Sequence, residues 1–136
     1  MTNPKGTQLE SAVRNWLRAA GWPFARRVVK EGALDKGDIT LGDGISVTIE
    51  CKNEKKINLA GGQKELLDEM RNNGHEWGFT IHKKRGTTNV GDYYAVLPVE
   101  VMMSILRVAI PNHPVRNHEA LEPVQRKRVI PRISSS

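Results

Sequence analysis

Apolar positions along the chain fall into a series of short patterned segments. Leu9, Val13, Trp16, Leu17 and Ala20 stand at i, i+4, i+7, i+8 and i+11, which predicts one face of an α-helix over Gln8 to Ala20. Thr7 with Glu10 three residues on has the spacing of a capping box, and Gly21 with Pro23 ends the helix. Phe24 to Val29 is short and partly β-branched and predicts a strand, followed by a charged loop from Lys30 to Lys36. Asp38 to Leu41 and Ile45 to Lys52 read as a hairpin around Gly42-Asp43-Gly44. In the second of these strands Ile45, Val47, Ile49 and Cys51 share one face, and Ser46, Thr48, Glu50 and Lys52 share the other.

Beyond a loop rich in Asn, Lys and Gly, a helix is predicted from about Gln63 to Asn72. Leu66, Leu67 and Met70 point inward and Asn73-Gly74 is its stop. Glu76 to His82 and Tyr93 to Leu97 predict two more strands on either side of a basic loop, Lys83 to Gly91. Pro98 opens a last helix to about Ile110. Val99, Met102, Met103, Leu106 and Ile110 line one face, and Val101, Ile105 and Val108 form a second stripe. That is more apolar surface than one small sheet covers, so a homodimer interface is expected there. No internal repeat is visible. The expected fold is α/β, a single domain over residues 1–110, with a mixed sheet of about five strands and helices on both faces. Residues 111–136 turn rich in Pro, Arg and Ser. They hold five Lys/Arg against two Asp/Glu, and are expected to form a flexible basic tail.

Length and charge narrow the possibilities. With 136 residues the chain suits one compact domain. A hydrophobic fraction of 38% supports a core. Lys+Arg exceed Asp+Glu by 21 − 15 = +6, which favours an anionic partner such as nucleic acid or a membrane surface. The single cysteine, Cys51, excludes an internal disulfide framework and fits a reducing compartment. No uncharged apolar run approaches the roughly 20 residues of a membrane span, and Met1 to Lys5 lack the apolar stretch of a signal peptide. A soluble, cytoplasmic protein with no membrane partner is expected.

The polar face of the second hairpin strand carries the candidate chemistry. Glu50 and Lys52 are two apart and emerge side by side on a strand expected to be central, and Asp38 sits on its hairpin partner. Asp35, three residues earlier, competes for the same role; Asp38 is preferred because it directly precedes the Ile-Thr-Leu strand. Carboxylates held a few ångströms apart repel, and a divalent cation removes that cost. Such a site activates water and stabilises charge on a phosphate, with Lys52 orienting the nucleophile or neutralising the phosphate. Glu-x-Lys alone carries no information, because a solvated pair on an open sheet face has the same pattern. The conjunction with Asp38, the glycine turn and the basic surplus gives it weight.

Gly37-Asp38, eleven intervening residues and then Glu50-Cys51-Lys52 resemble the PD-(D/E)XK nuclease superfamily. Within it, the pattern is most similar to the archaeal-type Holliday junction resolvases and their viral relatives. Lys5-Gly6, Glu10 in an amphipathic helix, Gly21-Trp22, the Arg26-Arg27 strand and Gln63 opening a helix occur there in similar order. The likeness spans roughly residues 5–97, and Gly37 departs from the proline of the superfamily name. The resemblance implies a restriction-endonuclease-like core. It also implies that Asp38 and Glu50 bind Mg²⁺ (with Mn²⁺ substituting) together with the Cys51 carbonyl, that Glu10 is a further acidic ligand, and that Lys52 is the catalytic lysine. It gives Gln63 a role at the site, and places the protein in the host's cytoplasm if it is viral.

The remaining candidates have structural readings beside the functional ones. Glu10 suits a helix cap equally well, and Cys51 suits a small core hydrophobe facing away from Glu50. His75, His82, His113 and His118 lack the spacing of a zinc site. Arg26, Arg27, Lys30, Lys55, Lys56, Lys83, Lys84 and Arg85 are together expected to bind the DNA backbone without reading bases. The expected function is therefore Mg²⁺-dependent hydrolysis of phosphodiester bonds in branched DNA, foremost four-way junctions. The alternatives are another nuclease of the same superfamily (restriction, flap or repair type) and a basic DNA-binding protein without chemistry.

Overall fold

The computed structural model describes residues 4–30 and 32–111, so the basic segment 112–136 lies outside the described residues. The chain divides into two compact units, Met1–Val101 and Met102–Ser136, with the boundary inside the last helix. The first unit holds helix α1 (Pro4–Ala19), strands β1 (Arg26–Arg27), β2 (Ile39–Thr40) and β3 (Val47–Lys52), helix α2 (Leu59–Asn73), and strands β4 (Trp77–His82) and β5 (Tyr94–Val96). One turn of 3-10 helix spans Val90–Asp92, and α3 (Val99–Ala109) crosses the unit boundary.

The five strands form one mixed sheet in the order β1-β2-β3-β4-β5. β3 and β4 are parallel, with Val47 opposite Trp77 and Lys52 opposite His82. The other pairs are antiparallel. A parallel pair needs a crossover, and α2 supplies it. β3 is thereby central, as its alternation predicts.

Alternate residues of β3 meet different helices. Ile49, fully buried, joins Ile39, Leu41, Ile81 and the α1 residues Leu9, Val13 and Leu17 in the main hydrophobic cluster. The opposite face lies under α2, whose Leu66, Glu69 and Met70 are buried. Gly78 on β4 shows how close that helix lies. A Cβ there would stand 2.8 Å from Met70 Sδ and 2.9 Å from the Thr48 carbonyl oxygen. The polar face of β3 is consequently buried as well: Thr48 and Glu50 are 1% and 6% exposed.

Several expectations need correction. α1 begins at Pro4, where a missing N–H costs the first turn nothing, so Glu10 sits in the second turn and caps nothing. β1 shrinks to two residues because Phe24 and Val29, each 77% exposed, have no cover. α2 starts four residues before Gln63, capped by Asn58, whose side-chain oxygen accepts from Gly61 N at 3.0 Å. Leu67, expected inward, is 41% exposed. The glycine stop holds: Gly74 has φ +69° and returns its N–H to the last turn.

Candidate metal centre

Three elements meet at the C-terminal half of β3. The strand presents Glu50 and Lys52 on the face that α2 covers. α2 presents Glu65 and Glu69, four residues apart and so on one side of the helix. The segment entering β2 contributes Asp35 and Asp38. It is tied to the end of α2 by two amides, Asn72 Nδ2 donating to the Asp35 carbonyl and Asn73 Nδ2 to the Lys36 carbonyl, each at 2.9 Å. Asn73 and His75 also bond Thr48 Oγ1, both at 2.9 Å, which fixes the far end of the interface.

Asp38 is clamped to β3 on both sides of Glu50. Its backbone N–H donates to the Ile49 carbonyl at 2.9 Å, and its Oδ2 accepts from Cys51 N at 2.8 Å. The turn that aims it requires Gly37, at φ +92°, whose N–H donates to Asp35 Oδ1 at 3.0 Å. Asp38 and Glu50 are thus brought together as the hairpin predicts.

Glu50 is buried in contact with the carboxyl groups of Glu69 and Asp38. Burial first, and then those two neighbours, push its pKa up to about 12. Glu69, 1% exposed, is pushed up to about 7, chiefly by burial; contact with Glu50 works the other way, and Asp35 and Glu65 add to the rise. Both carboxyls are thus held above the usual carboxylate range, chiefly by burial. Glu50 Oε2 and both oxygens of Glu69 have no hydrogen-bond partner. One oxygen from each of Asp35, Glu50, Glu65 and Glu69 lies within 4.8 Å of the others, so the cluster can bind a metal ion. All-oxygen donors suit hard divalent cations, and buried carboxylates without donors are the groups such an ion would satisfy.

Lys52 Nζ reaches Glu65 Oε2 at 3.0 Å. Burial disfavours its charge, but Glu65, then Glu50 and Glu54, outweigh that and hold its pKa above the usual value. Glu10 accepts from Arg27 Nε at 3.1 Å. Its pKa is raised by burial and by Asp38, against the pull of Arg27. Glu10 therefore borders the site near Asp38 with its charge already met by Arg27. The Cys51 side chain packs on the hydrophobic cluster, and burial pushes its thiol pKa up, which fits a core residue.

The basic candidates scatter. Arg26 pairs with Asp43 at 2.8 Å, and Arg27 with Glu10. Lys30, Lys55 and Lys56 are exposed. Lys83, Lys84 and Arg85 line an open cavity of about 590 Å³ with Gly86, Thr87 and Thr88. The Gln63 amide turns into the fold instead of onto a free surface, donating to Thr80 Oγ1 at 3.1 Å and to the Val96 carbonyl at 3.5 Å. His82 is buried and bonds the same Thr80 hydroxyl at 2.9 Å.

Sequence reasoning missed Glu65 and Glu69. A signal was present: Glu69 lies between Leu66 and Met70 on the inward stripe, where a carboxylate is out of place unless it has a task. A scan against protein-family models, a search of curated proteins and a search of solved structures each return no match.

Proposed function

We propose that the protein is a Mg²⁺-dependent endonuclease that hydrolyses phosphodiester bonds in branched DNA, with four-way junctions as its substrate. The observation that carries this reading is the contact of Asp38 with Glu50 on a central strand, with Glu50 Oε2 buried and lacking a donor and the Lys52 ammonium on the same face. Asp38 and Glu50 would hold the cation, with Glu10 and the Cys51 carbonyl as the further ligands that the superfamily resemblance implies. A bound Mg²⁺ supplies an acidified water and charge stabilisation at the phosphate.

The chain's own residues do the rest. Asp38 is held in one orientation by the Cys51 N–H, so no reorganisation is needed when a charged ligand arrives. Lys52 stays an ammonium at neutral pH, so it donates to a phosphate oxygen or to the attacking water and does not accept a proton. Exposed Lys30, Lys55, Lys56 and the Lys83–Arg85 loop offer charge to the sugar-phosphate backbone, in keeping with a net charge of +6. α3 leaves Met103, Leu106 and Val108 exposed, which supports pairing of two chains on a two-fold symmetric junction.

The test separates chemistry from binding. Glu50→Gln and Asp38→Asn each abolish cutting of a labelled four-way junction in Mg²⁺, while gel-shift affinity for the junction in EDTA stays within a few-fold of wild type. Cutting at the wild-type rate by either variant removes that residue from the centre. Equal rates on junction, flap, linear duplex and single strand would keep the nuclease and remove the preference for branched DNA.

A further inference from the structure

The sheet carries another concave surface, lined by cations instead of acids. Arg26 lies opposite Thr40, whose neighbour Ile39 belongs to the cluster under α1, so Arg26 and Thr40 leave the sheet on the α2 side. α2 packs on β3 and β4, and beside its C-terminal end this side of the sheet opens into a cavity of about 350 Å³. Arg26, Lys36 and His75 line it together with Val28, Val29 and Val47, and no acidic side chain is among its described lining. Each of the three polar groups has a hydrogen to give. Arg26 pairs with Asp43 where both are exposed, a weak contact that a phosphate dianion can replace. The Lys36 backbone is held at the rim by Asn73, which donates to its carbonyl at 2.9 Å, and its side chain is exposed. Thr48 Oγ1 accepts from Asn73 Nδ2 and lies 2.9 Å from His75 Nδ1. The hydroxyl hydrogen therefore goes to that nitrogen, and the ring's own hydrogen sits on Nε2. Burial holds the His75 pKa below the ordinary histidine value, so the ring keeps this single hydrogen. Val29, 77% exposed, adds apolar surface at the mouth.

We propose that this cavity binds a nucleoside 5′-monophosphate, either free or as the phosphorylated end of a DNA strand. Arg26, Lys36 and the His75 ring supply donors for a phosphate dianion, and the valines supply surface for the sugar and base. Ligand pockets run from roughly 300 to 1,000 Å³, so a cavity of about 350 Å³ is the size for one nucleotide unit. No cation is needed here, because the positive charge is already on side chains. An adjoining cavity of about 210 Å³ shares Val28, Val29 and Lys36 and reaches Asp38, so a strand end seated here has a path towards the candidate centre. Only the strand-end source rests on the proposed function; binding of the free nucleotide would stand for a chain that cuts nothing.

Isothermal titration calorimetry of the full chain in EDTA reads the cavity apart from any cleavage. dAMP is expected to bind at one per chain, with inorganic phosphate and deoxyadenosine each weaker by about ten-fold or more. Lys36→Ala and Arg26→Ala should each weaken dAMP by about ten-fold, whereas Arg14→Ala, which removes the same charge from α1, leaves it unchanged. Arg26 and Lys36 are exposed, so both variants should keep the wild-type melting temperature. A 5′-phosphorylated oligonucleotide that binds more tightly than its 5′-hydroxyl twin assigns the ligand to a strand end. Equal binding of the two, with dAMP still bound, assigns it to the free nucleotide. Absence of saturable dAMP binding, or binding that Lys36→Ala and Arg26→Ala leave unchanged, overturns the proposal and leaves the nuclease reading intact. A chain that binds dAMP but cuts no junction in Mg²⁺ keeps the cavity and loses the nuclease.

Discussion

Gly37 determines where Asp38 points. Its φ of +92° lies in the left-handed region, and its N–H holds the Asp35 carboxylate. Proline, the residue in the superfamily name at this position, is locked near φ −65° and has no N–H to give. Gly37→Pro is therefore expected to lower the unfolding midpoint and to abolish cutting. Gly37→Ala is milder but strained: its Cβ would stand 3.1 Å from both the Ile49 carbonyl and Thr48 Cγ2. The alanine variant should lose about 1–3 kcal/mol in urea unfolding. Either variant unfolding at the wild-type midpoint would show that the turn does not need glycine. Proline and glycine are thus not interchangeable at this turn.

Between elements, the α2–β3 interface sets the chemistry and also a cost. Glu69 titrates near 7 in the fold, above the usual carboxylate range, because it is buried beside other acids. The folded chain therefore binds protons more tightly than the unfolded chain. In the absence of divalent cations, the contribution of Glu69 is fully present below about pH 4.5 and is lost as pH rises through about 7, while that of Glu50, held higher still, goes on falling above it. The melting temperature in EDTA should drop from pH 5 to pH 8, Glu69→Gln should flatten that slope, and Mg²⁺ should restore stability at pH 8. A slope unchanged in Glu69→Gln would mean that this carboxyl is not strained. The same interface marks how far the sequence could be read. The alternation of β3 exposed the Glu50–Lys52 face and its central position, because period two follows directly from strand geometry. The partner hairpin and its glycine turn were equally legible. The acids of α2 were not, because a helical carboxylate usually faces water and only its three-dimensional cover reveals otherwise. For Glu10 the sequence left cap and ligand equally open, since its pairing with Arg27 spans seventeen positions that no local pattern connects.

For the whole molecule, the charge balance carries a functional consequence. The chain carries a net charge of +6, whereas Glu50 and Glu69 are buried carboxylates. Under the proposed function, the basic surplus would attract the DNA polyanion, and cations would be needed between its phosphates and these carboxylates. Helices on two faces of one mixed sheet were foreseeable from the order of patterned segments; the boundary near Val101 was not, because the apolar run of α3 continues across it. The most direct measurement is cleavage of an end-labelled four-way junction by the purified wild-type chain, in Mg²⁺ and in EDTA, beside a linear duplex of the same sequence. The account predicts nicks in the junction with Mg²⁺, none in EDTA, and little cutting of the duplex. Junction binding that is salt-sensitive but yields no nicks in Mg²⁺ or Mn²⁺ would contradict it.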